Sequence, residues 1–523
     1  MAWPDKPIIY EINTWVWLNT LSRKYQKTIH LNNVPDETLD ELAALNVDAI
    51  WLMGVWERSV ASQAIARKYM YQYKYALPDV SYDDIAGSPY AIAAYRVDEN
   101  LGGRGGLAAF RRRLRQRGLR LMLDFVPNHV ASDHHWVREH PDYLVRGTEK
   151  DLRYDPVTFY AARDKQRHVI VVAHGRDPYF PGWSDTAQVN AFNPDLRRAI
   201  VDTLRDIGEQ CDGVRCDMAM LLLNSVFVKT WAGYNGKMPQ YDFWVEIIPQ
   251  VKEAHPEFLF VAEAYWGLES TLQQQGFDYT YDKRLYDRIL EGNVGAIRQH
   301  LLSNSIPFLR HSINFIENHD ERRAYDTLGP IKSRPAATLI CTLPGAALLH
   351  DGQFEAHRIK LPVQIGRQMD ETPDTDLKAF YQLLLQETRS PIYRTGEWRL
   401  LDVASAWRGN YSNNNLLAYC WHSVESSVQN GSASAANTIG SGDDFRLIVI
   451  NLTDSQAQGI VGLSAFHDIG GQDWSLCDVL TQVRYPRQGN ELVDQGLYID
   501  LPPFQMHIFR FEPAMAQSPV AEW

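Results

Sequence analysis

Up to about residue 390 the chain alternates short apolar runs, rich in β-branched or aromatic residues, with longer amphipathic stretches. A hydrophobic period that switches in this way builds βαβ units, whose strands pair into a parallel sheet covered by helices. The candidate strands are Ile8–Ile12, Ala49–Met53, Leu119–Phe125, Gly213–Cys216, Phe258–Ala262, Phe277–Tyr281, Ile313–Ile316 and Ala346–Leu349. Eight such strands predict a closed (β/α)8 TIM barrel. Helical patterns fill the gaps. In Pro35–Leu45 the side chains of Leu39, Leu42 and Leu45 share one face and acids occupy the first turn, and Gly106–Gly118 and Pro194–Gln210 read the same way.

Two stretches break the alternation. The interval between the third and fourth strands is too long for one crossover helix. Its first part, Val130–Val189, is rich in His, Asp, Pro, Tyr and Gly, and reads as a subdomain inserted in a βα loop. Beyond about residue 393 the pattern becomes short strands between turns, Leu416–Trp421, Arg446–Leu452 and His507–Phe511, which predicts a separate antiparallel β domain, a β-sandwich. The expected division is therefore a barrel over 1–129 and 190–392, an insert over 130–189, a β domain over 393–513 and a loose tail over 514–523. Within the β domain, Ser423–Asp444 is rich in Ser, Ala, Gly and Asn and is expected to be a mobile loop.

Charge and composition narrow the function. A net charge of −12 and a pI near 5.7 oppose a polyanionic partner, so nucleic acid is not expected. The five Cys lie far apart without CxxC spacing, which supports neither a disulfide framework nor a zinc knuckle. Residues Met1–Pro7 lack an apolar signal core, and no apolar run reaches the about 18 residues of a membrane span. The expectation is a soluble, cytoplasmic chain with no membrane partner. The 15 Trp and 26 Tyr offer planar faces suited to stacking on sugar rings, although most single aromatics simply pack in cores.

In a parallel barrel all strand C-termini open on one face, where catalytic residues sit. Four candidate strands end in ionisable groups: Asp124 with Asn128 and His129 in the third, Arg215 and Asp217 in the fourth, Glu263 after the fifth, and Glu317, His319 and Asp320 after the seventh. Each alone could be a strand-end salt bridge or a helix cap. Together they would repel one another on a desolvated rim, a cost that calls for a role. Strand side chains alternate, so Arg215 shares a side with Asp217 and can hold that carboxylate ionised as a nucleophile. Glu263, among negative neighbours, would be kept protonated as a general acid, and such a pair suits glycoside hydrolysis.

These segments resemble the four hallmark regions of the α-amylase superfamily, of the glycoside hydrolase family 13 type. Asp124–His129 matches the first, Gly213–Asp217 the second, Ala262–Glu263 the third and Phe315–Asp320 the fourth, in the same order and spacing. The resemblance covers the whole chain and implies a retaining enzyme acting on α-glucosidic bonds of α-glucans or maltooligosaccharides, as hydrolase or transglycosylase. It makes Asp217 the nucleophile, Glu263 the acid/base and Asp320 the third carboxylate, gripping sugar hydroxyls. Arg215, His129 and His319 would support them, Asp124 would buttress the site from the barrel lining, and Tyr90 would stack on the ring being cleaved. Tyr265 and Trp266, next to the acid, are placed to line the leaving side or to pack in the core.

Two departures from the family stand out. Where typical α-amylases carry a Lys-His pair after the second-region Asp, this chain has Met218-Ala219-Met220-Leu221-Leu222, which predicts a more apolar leaving side. Where the family commonly has a calcium-ligating Asp, Thr186-Ala187-Gln188-Val189-Asn190 offers Gln188. Asn128 is then the sequence's one calcium candidate, a single oxygen where Ca²⁺ takes 6–8, and no cofactor is expected to be required. The other readings are a non-catalytic sugar-binding relative, which would be expected to have lost a carboxylate, and a metal-dependent barrel hydrolase with His129, His319 and the acids as ligands. No HxH pair follows the first strand, and Arg215 beside Asp217 would oppose a cation.

Overall fold

A computed structural model describes residues 2–423 and 445–514. Eight parallel strands close into a barrel: β1 (Ile8–Asn13), β2 (Ala49–Met53), β3 (Arg120–Phe125), β4 (Gly213–Cys216), β5 (Leu259–Ala262), β6 (Tyr279–Tyr281), β7 (Ser312–Asn314) and β8 (Ala346–His350). They follow chain order around the ring, and β1 pairs with both β2 and β8. The fold is the (β/α)8 barrel that the alternation predicts, with an insert after β3 and a C-terminal antiparallel β domain.

Two strands differ from their predicted bounds by two residues at one end, and four others by a single residue. The seventh ends at Asn314, because β6 registers only with Ser312 and Ile313 and β8 only with Ile313 and Asn314, and Phe315 and Ile316 then run on as buried loop. The sixth starts at Tyr279; Phe277 before it is core, but outside the ladder.

The helices form as their sequences dictate. In Asp36–Ala44, Leu39 and Leu42 are buried and Asp36 and Glu37 face the positive helix start, while Leu45 caps the end. Pro194–Gln210 begins with Pro at its first turn behind Asn193, whose side chain accepts the Asp195 and Leu196 amides.

The insert is pinned at its base by pairing of His129–Ala131 with Thr186–Gln188, and it carries a hairpin of Phe159–Arg163 with Val169–Ala173. The C-terminal domain holds a six-stranded and a three-stranded sheet. Strands Leu416–His422 and Phe445–Asn451 are buried along their whole length, which explains their unbroken apolarity. Leu416, Ala418 and Cys420 face the three-stranded sheet, whereas Leu417, Tyr419 and Trp421 join the barrel core. Trp421 donates to the Thr342 carbonyl (2.7 Å) and fastens the two together. The predicted loop over 423–444 lies, but for Ser423, outside the described residues, as does the predicted tail beyond 514. All five Cys are buried and free. Among the described residues no helix is long and apolar enough to cross a membrane.

Candidate active site

The site grows from β4. Arg215 registers with Asp124 on β3 and Val261 on β5, so its fully buried guanidinium points into the barrel. There it lies about 5.5 Å from the ring centres of Trp51 and Tyr90, faces that offset part of its desolvation. Its Nη1 donates to Asp217 Oδ1 at 2.6 Å, and its Nη2 lies 2.8 Å from Glu263 Oε2. The same cation stands 3.9 Å from Asp124 and 3.9 Å from Asp320. One guanidinium thus gathers the four predicted carboxylates from β3, β4, β5 and the β7 loop.

Glu263 is held on both oxygens. Tyr265 Oη donates to Oε1 (2.7 Å) and the Met218 amide to Oε2 (2.6 Å). Burial pushes its carboxyl up, Arg215 pulls it down, and the Asp217 and Asp320 charges raise it again, leaving it at about 7. Met218 presents its N–H from a left-handed conformation (φ 43°). Ala219–Leu222, read above as an apolar leaving-side lining, are instead buried in the core, and only Met218 of that run is partly exposed, because the chain turns inward immediately after it.

Asp320 projects into the open cleft, and His319 Nε2 lies 2.9 Å from its Oδ2. Burial opposes ionisation of Asp320, but the imidazole of His319, then Arg215 and Lys360, hold its carboxyl well below the usual range. His319 is buried, which would favour the neutral ring, yet Asp320 and Glu11 on either side keep it protonated. Its Nδ1 contacts Glu11, and Tyr90 Oη sits 2.6 Å from Nε2 with the two rings stacked at 5.4 Å.

Asp124 accepts the Gly54 amide at 3.1 Å, and burial raises its carboxyl to about 6 against the pull of Arg215. Gly54 has φ +78°, and a Cβ there would meet Arg58 at 2.7 Å, so the close approach needs glycine. His129 reaches the Tyr90 carbonyl (3.2 Å) and packs on Trp183 of the insert. Trp266 is 41% exposed on the rim, and its ring meets Tyr179 of the insert edge-on at 5.0 Å.

Glu11 is the site residue that the sequence reading did not single out. A lone carboxylate inside the apolar run Ile8–Asn13 was the available signal. Glu317, grouped above with the rim acids, is turned away: it is fully buried, paired with Arg323 (2.6 Å) and His350 (3.0 Å), and it caps the following helix at Ala324.

Asn128, the calcium candidate of the sequence, lies against Gln188, whose Nε2 donates to Asn128 O (2.8 Å), Asn128 Oδ1 (3.0 Å) and Val189 O (3.1 Å). Among the described residues no group of three His, Cys, Asp or Glu is placed to hold a metal.

The family described as "Alpha amylase, catalytic domain" matches residues 34–399, well over half of the chain. The chain belongs to this family. Alpha-amylase MalA of Haloarcula japonica is 27% identical over 378 residues, 71% of this chain and 47% of its own length. Alpha-amylase 3 of Dictyoglomus thermophilum is 23% identical over 381 residues, 67% of this chain and 65% of its own. This alpha-amylase family chain therefore spans about half to two thirds of the length of these curated relatives. The maltogenic alpha-amylase AmyB from Thermotoga neapolitana shares the fold, with a TM-score of 0.64 at 18% identity over 97% of this chain and 98% of that one.

Proposed function

We propose that this family member is a retaining enzyme acting on α-glucosidic bonds of α-glucans or maltooligosaccharides, as hydrolase or glucanotransferase. The observation that carries the reading is the sharing of one buried guanidinium by Asp217 and Glu263, at 2.6 and 2.8 Å. Carboxylates on two nitrogens of one guanidinium are near neighbours, which suits the about 5–5.5 Å of a retaining pair better than the about 6.5–9.5 Å of an inverting one.

In the first step an oxygen of Asp217 attacks the anomeric carbon. The glycosidic C–O bond breaks as its oxygen takes the proton of Glu263. In the second step the ionised Glu263 takes a proton from water or a sugar hydroxyl, whose oxygen displaces Asp217. Asp320, kept ionised by His319, accepts hydrogen bonds from the hydroxyls of the ring being cleaved, with Tyr90 beside it. Retention is tested by following the anomer of the first product by NMR.

No metal enters these steps. With Gln188 bridging the insert to Asn128, EDTA is expected to leave both activity and thermal midpoint unchanged. A fall in either, restored by Ca²⁺ alone, would contradict this.

Trp266, three residues after the acid and in ring contact with Tyr179, would line the leaving side, where an incoming sugar would stack. Trp266→Ala is expected to lower transfer to a sugar acceptor by about fivefold while changing hydrolysis little, because water needs no platform and a stacked ring is worth roughly 1 kcal/mol. The transfer-to-hydrolysis ratio at fixed donor and varied acceptor reads this out; an unchanged ratio rejects the platform.

A further inference from the structure

Resting on the function just proposed, the geometry points to one more property: the loops after β2 and β8 close the donor end of the cleft, so that the site takes a single glucosyl unit from the non-reducing end of its substrate. Glu263 marks the leaving side, since it must reach the glycosidic oxygen. It stands at the end of β5, diametrically across the barrel from β1, so the donor extends toward β1. β1 lies between β2 and β8, and the loops that follow those two strands are joined beside Trp15, just past its end.

The seam is continuous. Ile85 bridges Ile365 in antiparallel fashion, the Ala86 and Gly87 amides donate to Gln364 O (2.8 and 3.1 Å), and Gly366 N donates to Asp84 O (2.8 Å). Arg367 forks onto Asp84 (2.6 and 3.0 Å) and reaches Asp79 (3.1 Å). Leu77, Ile85 and Ile365 are buried beneath it in a cluster of their own. The wall abuts the donor site directly: Lys360, whose carbonyl accepts from Tyr75 Oη (3.2 Å), places its ammonium on the Asp320 carbonyl. Beside this wall, the cavity lined by Asn13, His319, Glu321, Asp351, Lys360 and Gln368 has about 20 Å³. That is room for a water and not for a second pyranose ring.

The test compares maltopentaose with maltopentaose carrying a 4,6-O-ethylidene cap on its non-reducing glucose, with α-glucosyl fluoride as a one-unit control. Glucose or glucosyl-transfer products should come first from the free pentaose, and the capped sugar should react about a hundredfold more slowly. In Arg367→Ala, which opens the seam, the capped sugar should gain about tenfold. Equal rates on the two pentaoses, maltose or longer products at the start, or a folded Arg367→Ala with no gain would overturn the closed donor end, while use of the fluoride shows that the underlying function stands. Failure on the fluoride as well removes both. Should Arg367→Ala not fold, the wild-type comparison decides.

Discussion

Asp217→Asn is expected to leave the fold intact and to lower turnover of α-glucosides by a factor on the order of 10⁴ or more, the scale on which loss of a nucleophile acts. The amide has nearly the same shape and keeps an oxygen for the 2.6 Å contact with Arg215, but it cannot form the glycosyl ester. Losing the carboxylate also leaves the buried Arg215 with one counter-charge fewer. It keeps the Asp320 and Asp124 carboxylates at 3.9 Å as counter-charges and the Glu263 carboxyl oxygen at 2.8 Å as a polar partner, so the thermal midpoint should move little. Steady-state rates together with circular dichroism check both parts. Near-normal activity in this variant would remove Asp217 from the role.

The second large effect concerns Glu263. Its carboxyl, lifted to about 7 by burial and by the neighbouring Asp217 and Asp320 charges against Arg215, is protonated below that value. In the proposed mechanism the acid form performs the first step, so kcat/KM should decline as pH rises through about 7. Glu263→Gln should lower cleavage of natural glucosides by about 10²–10⁴-fold and flatten the alkaline limb. Formation of the glycosyl-enzyme from α-glucosyl fluoride, whose leaving group departs without a proton, should be largely spared. An alkaline limb that survives the substitution would assign it to another group.

Much of this was legible in the sequence because each hallmark residue follows a short apolar run, and a strand end in a parallel barrel has one possible face. The runs ending at Phe125, Cys216 and Ala262 sit in the ladder almost as read. The run ending at Ile316 was read too long because apolarity reports burial, and Phe315 and Ile316 are buried without pairing. Glu11 stands out locally as a lone carboxylate in an apolar run, but its role escaped notice because its partner, His319, lies at the far end of the barrel sequence. The seam just past the end of β1 is of the same kind. Its backbone bonds join residues 84–87 to 364–366, and Ile85 and Ile365 look like ordinary loop hydrophobics until the chain is closed into a ring. Met218 shows the converse: its side chain drew attention, whereas its amide makes the contact to Glu263.

The most direct test of the account is to trap the covalent intermediate. Glu263→Gln is incubated with α-glucosyl fluoride, quenched in acid, digested and mapped by mass spectrometry. The expected result is one glucosyl group per chain, carried by the peptide that contains Asp217 and absent from the Asp217→Asn, Glu263→Gln double variant. A glucosyl group on any other residue, or consumption of the fluoride to an inverted anomer by a protein that never becomes labelled, would contradict the double displacement at Asp217.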